Sequence, residues 1–270
     1  MRSASRDFGD NMNTKGRRGA LGKNLFLVCA NPRVGSTYFC EAIASTGVLG
    51  KPTEMLGPDQ EVRLRREWNC ADSSYGSYLE RAVYASRTPN CIGGIKIMWA
   101  YLPNVLESLA HVDELAPLKR DHERFGSLFC GARALHLIRR NKVRAAFSYW
   151  LAQQTGQWVL YDEASRVAHP GSVDNAEITR LHDELHDAEA GWPHFLDAAG
   201  IETIQYVYEH WTIDVRSAVT NVAQQLFGIA VDRHSVKPPK MLRQATSITD
   251  DLERKWIEVT GGCSDCRNLN

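Results

Sequence analysis

The apolar positions of the chain fall into short unbroken runs separated by longer periodic stretches. Leu25–Ala30 (LFLVCA) is continuously apolar, as a strand buried on both faces must be. A tight loop, Asn31-Pro32-Arg33-Val34-Gly35, leads to Ser36 and Thr37, residue types that cap helix N-termini. Tyr38–Thr46 then reads as a helix, with Gly47 placed to stop it. Ile92–Met98, Ala134–Ile138 and Thr203–Tyr208 read as further strands. Helical spacing appears at Tyr78–Ser86, Val105–Leu109, Val143–Gln154, Ala176–Glu189 and Ile213–Phe227, while Gly156–Asn175 has little periodicity and reads as a long loop. Strands alternating with helices predict an α/β fold with a mostly parallel central sheet flanked by helices. No repeat or linker divides the core. The expectation is one domain over residues 23–260, between a disordered arm (1–22) and a flexible tail (261–270).

Composition narrows the function. The chain has 270 residues, 43% of them hydrophobic and 24% charged, ordinary for a globular protein. The formal net charge is +0, so no global field attracts nucleic acid or an anionic membrane, and a basic site has to be a local cluster. The first twenty residues lack the apolar stretch of a secretory signal, and no later segment approaches a membrane span. Seven cysteines are scattered, with Cys29, Cys40 and Cys130 inside apolar runs. They read as reduced core-filling thiols, and the expected location is cytoplasmic.

Two clusters could meet an anion. Arg33-Val34-Gly35-Ser36-Thr37 lies where a strand hands over to a helix, and unpaired amides and the helix dipole favour negative charge there. Gly35 lets the backbone approach closely, Ser36 and Thr37 supply hydroxyls, and Arg33 supplies a fork for phosphate or sulfate oxygens. The Lys of the nucleoside-triphosphate loop G-x-x-x-x-G-K-[ST] is missing. The second cluster, Arg139 to Arg144, follows the apolar ALHLI and opens a helix carrying Ser148. Cations there oppose the helix dipole unless an anion joins them. Two anion sites at strand ends suit a nucleoside with phosphates at both ends.

These residues carry a resemblance. Pro32 to Thr37, Cys40-Glu41, Thr46-Gly47 and Gly50-Lys51-Pro52-Thr53-Glu54 resemble the opening of the trehalose sulfotransferase-type carbohydrate sulfotransferases, a bacterial branch of the sulfotransferases that use 3′-phosphoadenosine 5′-phosphosulfate (PAPS). The likeness continues through Gly94–Trp99 and Arg139–Trp158, with a weaker echo at Arg243-Gln244-Ala245 and Trp256. It implies a P-loop-like sulfotransferase fold and transfer of a sulfuryl group from PAPS, leaving 3′,5′-adenosine bisphosphate, to a hydroxyl of a carbohydrate or glycosylated acceptor. It further implies a phosphosulfate loop at Arg33–Thr37 and a 3′-phosphate site using Ser148 with either Arg139 or Arg140. Arg243 and Gln244 would belong to a segment closing over the nucleotide, and Glu54 matches the family's general base. The family includes dimers, so the resemblance admits a homodimer. Val34 stands where the family loop usually has Ser, and Tyr38 and Phe39 replace smaller aliphatics.

Sulfuryl transfer resembles phosphoryl transfer in its loose in-line transition state, so positioning and fixed cations suffice and no metal is required. Lys96, flanked by Ile95 and Ile97, is costly unless its head reaches a cleft, and it is expected to stabilise the leaving phosphate or orient the sulfuryl group. Trp99, Gln157 and Trp158 could line an acceptor pocket, since flat rings beside amides suit sugars. His182 and His186 have zinc-like i, i+4 spacing, but Asp183 stands where the protease motif needs Glu, and the helix is dense with charge. Cys263 and Cys266 form a lone C-x-x-C. The alternatives are a phosphate-binding small-molecule kinase and a non-enzymatic nucleotide- or nucleic-acid-binding module using Arg139 to Arg144. The kinase's magnesium ligands and loop Lys are not apparent, and neutral charge and the lack of a broad basic stripe argue against nucleic acid.

Overall fold

In the computed structural model, which describes residues 21–167, 173–242, 244 and 247–260, the apolar run Leu25–Ala30 becomes β1, every residue of it buried. It lies between β2 (Gly93–Met98) and β3 (Arg133–Ile138), and β4 (Thr203–Val207) completes a parallel sheet of order β2-β1-β3-β4. Parallel neighbours need crossover connections, and helices provide them. The helices are α1 (Ser36–Ser45), α2 (Pro58–Glu67), α3 (Tyr75–Ala85), α4 (Leu102–Ala110), α5 (Asp121–Leu128), α6 (Lys142–Thr155), α7 (Asn175–Ala198), α8 (Tyr208–Trp211), α9 (Val215–Phe227) and α10 (Ser247–Thr260).

Strand alternation divides the interior. Leu25, Leu27, Cys29, Ile95 and Ile97 pack against α3, α4, α5 and the α7 residues Trp192 and Leu196. Phe26, Val28, Ala30, Met98, Leu135 and Leu137 pack on the opposite face against α1 and α9. A third cluster joins α6, α7 and α10 through Phe147, Trp150, Leu181, Leu185 and Trp256. Each fully buried large side chain contributes roughly 1.5–3 kcal/mol.

The four strands appear within two residues of their expected bounds. The helix boundaries needed more correction. Ser36 and Thr37 are not caps: Gly35 occupies the cap position with φ 75° and no side-chain cap bond, so both hydroxyl residues lie inside the first turn of α1. Helix α7 runs on past Glu189 through Gly191 and Pro193. Gly191 serves packing there, since a Cβ would stand 2.4 Å from the Trp99 ring, and Trp192 is fully buried. Helices α2, α5, α8 and α10 had no readable period; α2 and α5 each bury a single side chain, Leu64 and Phe125. Cys29 and Cys40 are buried as expected, whereas Cys130 is exposed because it follows the end of α5 in a turn. Leu21, assigned to the arm, packs against the core, and Gly22 accepts a hydrogen bond from the Leu25 N–H. The rest of the arm (1–20), the tail (261–270) with Cys263 and Cys266, and Arg243 and Ala245 lie outside the described residues.

His136, in register with Cys29 on β3, carries a testable consequence. It is 1% exposed, and neither ring nitrogen has a hydrogen-bond partner among the described residues. Burial first, then the Lys142 charge, push it down from 6.5 to about 4. The unfolded chain therefore takes up the proton first, and stability present above pH 6.5 drains away as the pH falls toward 4. At about 1.4 kcal/mol per pH unit the loss is on the order of 3 kcal/mol. Urea denaturation of wild type and His136→Leu between pH 7 and 4 should show the steeper decline in wild type. Equal slopes would remove His136 as the cause.

Candidate active site

The turn between β1 and α1 is built from two left-handed residues, Arg33 (φ 67°) and Gly35 (φ 75°). A Cβ on Gly35 would come within 2.8 Å of the Tyr208 ring and 2.9 Å of the Trp211 ring, so the turn and its aromatic floor both require glycine there. The side chain of Arg33 donates from Nε to Ser148 Oγ (2.8 Å), from Nη1 to the Trp158 carbonyl (2.7 Å) and from Nη2 to Gln244 Oε1. All three acceptors are neutral. Burial, followed by the neighbouring Arg139 charge, lowers Arg33 to about 10.

Arg139, at the carboxyl end of β3, is 7% exposed. It donates from Nη1 to the Arg33 carbonyl (2.9 Å) and lies over the Tyr208 ring at 4.5 Å. Arg140 is exposed and is not among the residues lining the neighbouring cavity. At the start of α6 the protein supplies two carboxylates of its own. Glu209 accepts the amides of Arg140 (3.1 Å) and Asn141 (3.0 Å), while Glu189 accepts the Arg139 amide (3.2 Å) and pairs with Lys142 (2.6 Å). Two carboxylates thus answer the helix dipole, and the Arg139 side chain holds the β1–α1 turn. Arg144, in the first turn of α6, pairs with Glu253 (2.9 Å) and Asp250 on α10.

Arg33, Arg139 and Arg144 all line one cavity of about 380 Å³, together with Ser36, Thr37, Ser148 and the rings of Tyr38, Trp158, Tyr208 and Trp211. Sequence reasoning missed Tyr38, Tyr208 and Trp211 as lining residues, and placed Arg144 only within the basic cluster. The signal for Tyr208 and Trp211 was their place beyond the carboxyl end of β4, where open α/β sheets bind ligands.

A second group adjoins the cavity at Thr37. Lys96 lies on β2 opposite Val28, facing α1, and is 4% exposed. Its Nζ donates to Thr37 Oγ1 (3.1 Å) and pairs with Glu54 Oε1 (2.6 Å). These two contacts meet the cost of a Lys in an apolar strand. Glu54 is held beside β2 because the preceding residue, Thr53, bridges Ile95 and accepts the Lys96 amide (3.0 Å). The other carboxylate oxygen, Oε2, accepts from the Tyr101 hydroxyl (2.9 Å). Tyr101 had no signal in the sequence.

The expected acceptor residues separate. Trp158 is 49% exposed, lines the cavity and packs on Tyr149 at 5.9 Å. Trp99 does not line the cavity but packs edge-on against Trp192 at 5.1 Å. Gln157 spends its side chain on its own loop, donating to the Ser165 carbonyl (2.8 Å) and accepting the Val167 amide (3.2 Å). Gln244 is bonded to Arg33 and, through Nε2, to the Gln157 carbonyl (2.9 Å). His182 packs beside Trp256 at 6.0 Å, and His186 is 60% exposed next to Asp187.

Comparison with known proteins bears on the whole described fold. A family model described as Stf0 sulphotransferase matches residues 25–259. Trehalose 2-sulfotransferase of Mycobacterium tuberculosis is 26% identical, over 86% of this chain and 92% of the relative. The Mycolicibacterium smegmatis enzyme of the same name is also 26% identical, with the same coverage. Among solved structures, the sulfotransferase domain of the Synechococcus PCC 7002 olefin synthase aligns at TM-score 0.42 and 15% identity, covering 89% of this chain and 95% of that one. A sulfotransferase from Alicyclobacillus acidocaldarius aligns at TM-score 0.41 and 15% identity, covering 87% and 94%.

Proposed function

The chain belongs to the Stf0 sulphotransferase family and is a sulfotransferase, and from that premise we propose that it transfers the sulfuryl group of PAPS to a carbohydrate hydroxyl with Glu54 as general base. The observation that carries the reading is the continuity at Thr37. This residue lines the cationic cavity and accepts from Lys96, which pairs with Glu54. Donor site and base are therefore joined by one short chain of polar contacts.

The cavity suits the donor in charge and shape. None of Arg33's side-chain partners among the described residues is a carboxylate, and the neighbouring Arg139 charge disfavours its own, so an anion beside Arg33 is favoured. The aromatic rings on the floor suit a nucleobase. The donor supplies an activated sulfuryl group. Arg33, Ser36 and Thr37 hold its phosphosulfate end, and Arg139 with Ser148 holds the 3′-phosphate. Lys96 offsets charge on the leaving side. Glu54 takes the acceptor proton: a carboxylate has about four lone-pair sites, and Lys96 and Tyr101 use two. The names of the curated relatives support a sugar acceptor, and Trp158 and Tyr149 offer it flat rings. The buried free thiols of Cys29, Cys40 and Cys70 support a reducing, cytoplasmic setting.

Calorimetric titration tests the donor. Micromolar binding of 3′,5′-adenosine bisphosphate is expected, with 5′-AMP weaker by about a hundredfold because it lacks one charge-assisted phosphate contact. Equal affinity for the two nucleotides would remove the 3′-phosphate site.

A further inference from the structure

We propose that Tyr101 is a positioning residue for Glu54, holding one carboxylate oxygen away from Lys96 so that the base stays available to the acceptor. This inference rests on the reading of Glu54 as base, but its central contact can be tested without it.

The argument starts from the pull on Glu54. Lys96 is almost fully buried and its Nζ stands 2.6 Å from Oε1. A desolvated ammonium attracts both oxygens of a neighbouring carboxylate. A Glu54 drawn fully onto Lys96 would be a neutralised structural ion pair and a poor proton acceptor. The Tyr101 hydroxyl opposes that collapse by donating to Oε2 at 2.9 Å. The two donors then fix the carboxylate plane from opposite oxygens.

Tyr101 is itself well placed to do this. It closes the short 3-10 turn Trp99–Tyr101, which follows β2 directly, so the strand that carries Lys96 leads straight into Tyr101. Trp99, at the start of that turn, is wedged against Trp192 and Gly191. The Tyr101 ring also lies against Gly57, where a Cβ would come within 3.2 Å of it. Gly57 donates its amide to the Glu54 carbonyl (3.0 Å). One aromatic side chain therefore touches both the backbone turn that carries Glu54 and the carboxylate at its end. Burial, then the Glu54 charge, hold the Tyr101 phenol above its usual range, in keeping with a donor to a carboxylate.

The test has two arms. In the first, protein labelled with 13Cζ-tyrosine is compared before and after Glu54→Gln. The resonance lost in Tyr101→Phe identifies Tyr101, and it should move when the carboxylate becomes an amide. A Tyr101 resonance unmoved by Glu54→Gln overturns the proposal. In the second, Tyr101→Phe is assayed with PAPS and trehalose. We expect kcat to fall about tenfold with KM for PAPS unchanged, the loss of one hydrogen bond to a charged group. Full kcat in Tyr101→Phe overturns the positioning role even if the resonance moves. Full turnover by Glu54→Gln would instead refute Glu54 as base. Wild-type protein idle on trehalose would refute only that acceptor, and the resonance arm then decides the Tyr101 contact by itself.

Discussion

Glu54→Gln is expected to lower turnover by about 10²- to 10⁴-fold, the usual contribution of a positioned general base, while 3′,5′-adenosine bisphosphate binds within about twofold of wild type. The substitution keeps the shape of the side chain, and its amide oxygen can still accept from Tyr101. What it removes is the ability to take a proton and the charge opposite Lys96. Glu54 is not among the residues lining the cavity with the arginines and is linked to it through Lys96 and Thr37. Binding and chemistry should therefore separate in this variant. The change also leaves Lys96, 4% exposed, with Thr37 but without its carboxylate. Breaking a buried pair by removing one partner destabilises by roughly 3–5 kcal/mol, so the variant should melt earlier, and kinetics belong at a temperature where circular dichroism shows it folded. Single-turnover rates near wild type in folded protein would exclude Glu54 as the base.

Arg139→Ala should weaken bisphosphate binding by about a hundred- to a thousandfold, whereas Arg140→Ala should leave it within about threefold. The two neighbours have similar chemistry and opposite settings. Arg139 is buried, bonded to the Arg33 carbonyl and laid over Tyr208, so its loss removes a cation and loosens the β1–α1 turn as well. Arg140 contributes its amide to Glu209 and leaves its side chain exposed. Calorimetry on both variants decides between them. Equal losses, or a larger loss at Arg140, would move the 3′-phosphate site off Arg139.

The pair also shows why the sequence left that choice open. Successive residues leaving a strand point to opposite sides, and spacing to Ser148 did not fix which of the two turned inward. Capture of the Arg140 and Asn141 amides by Glu209, about seventy residues away, fixes the start of α6 and with it the direction of Arg139. The same contacts explain the basic helix start. An anion was required there, and Glu189 and Glu209 meet the requirement. Helix α2 was invisible for a different reason. Its sequence, PDQEVRLRRE, buries only Leu64 and is supported by the ion pairs Glu61–Arg65 and Arg63–Glu67, which leave no apolar period to read.

By itself the sequence determined the local matters: three largely apolar runs that read as buried strands, an alternating fourth (TIQYV), the helix periods between them, and an Arg-Val-Gly-Ser-Thr turn after the first strand. It also showed a Lys that an apolar strand could hold only at a cost. These are short-range consequences of burial, side-chain period and backbone sterics. Tertiary structure alone decided the partners. Lys96 meets Thr37 across 59 residues, Arg33 meets Gln244 across 211, and Tyr101 meets Glu54 across 47. Glu54 was legible only through resemblance, and Tyr101 was not legible at all, because a carboxylate in a loop and a phenol after a strand acquire a role only once packing brings them within hydrogen-bond distance.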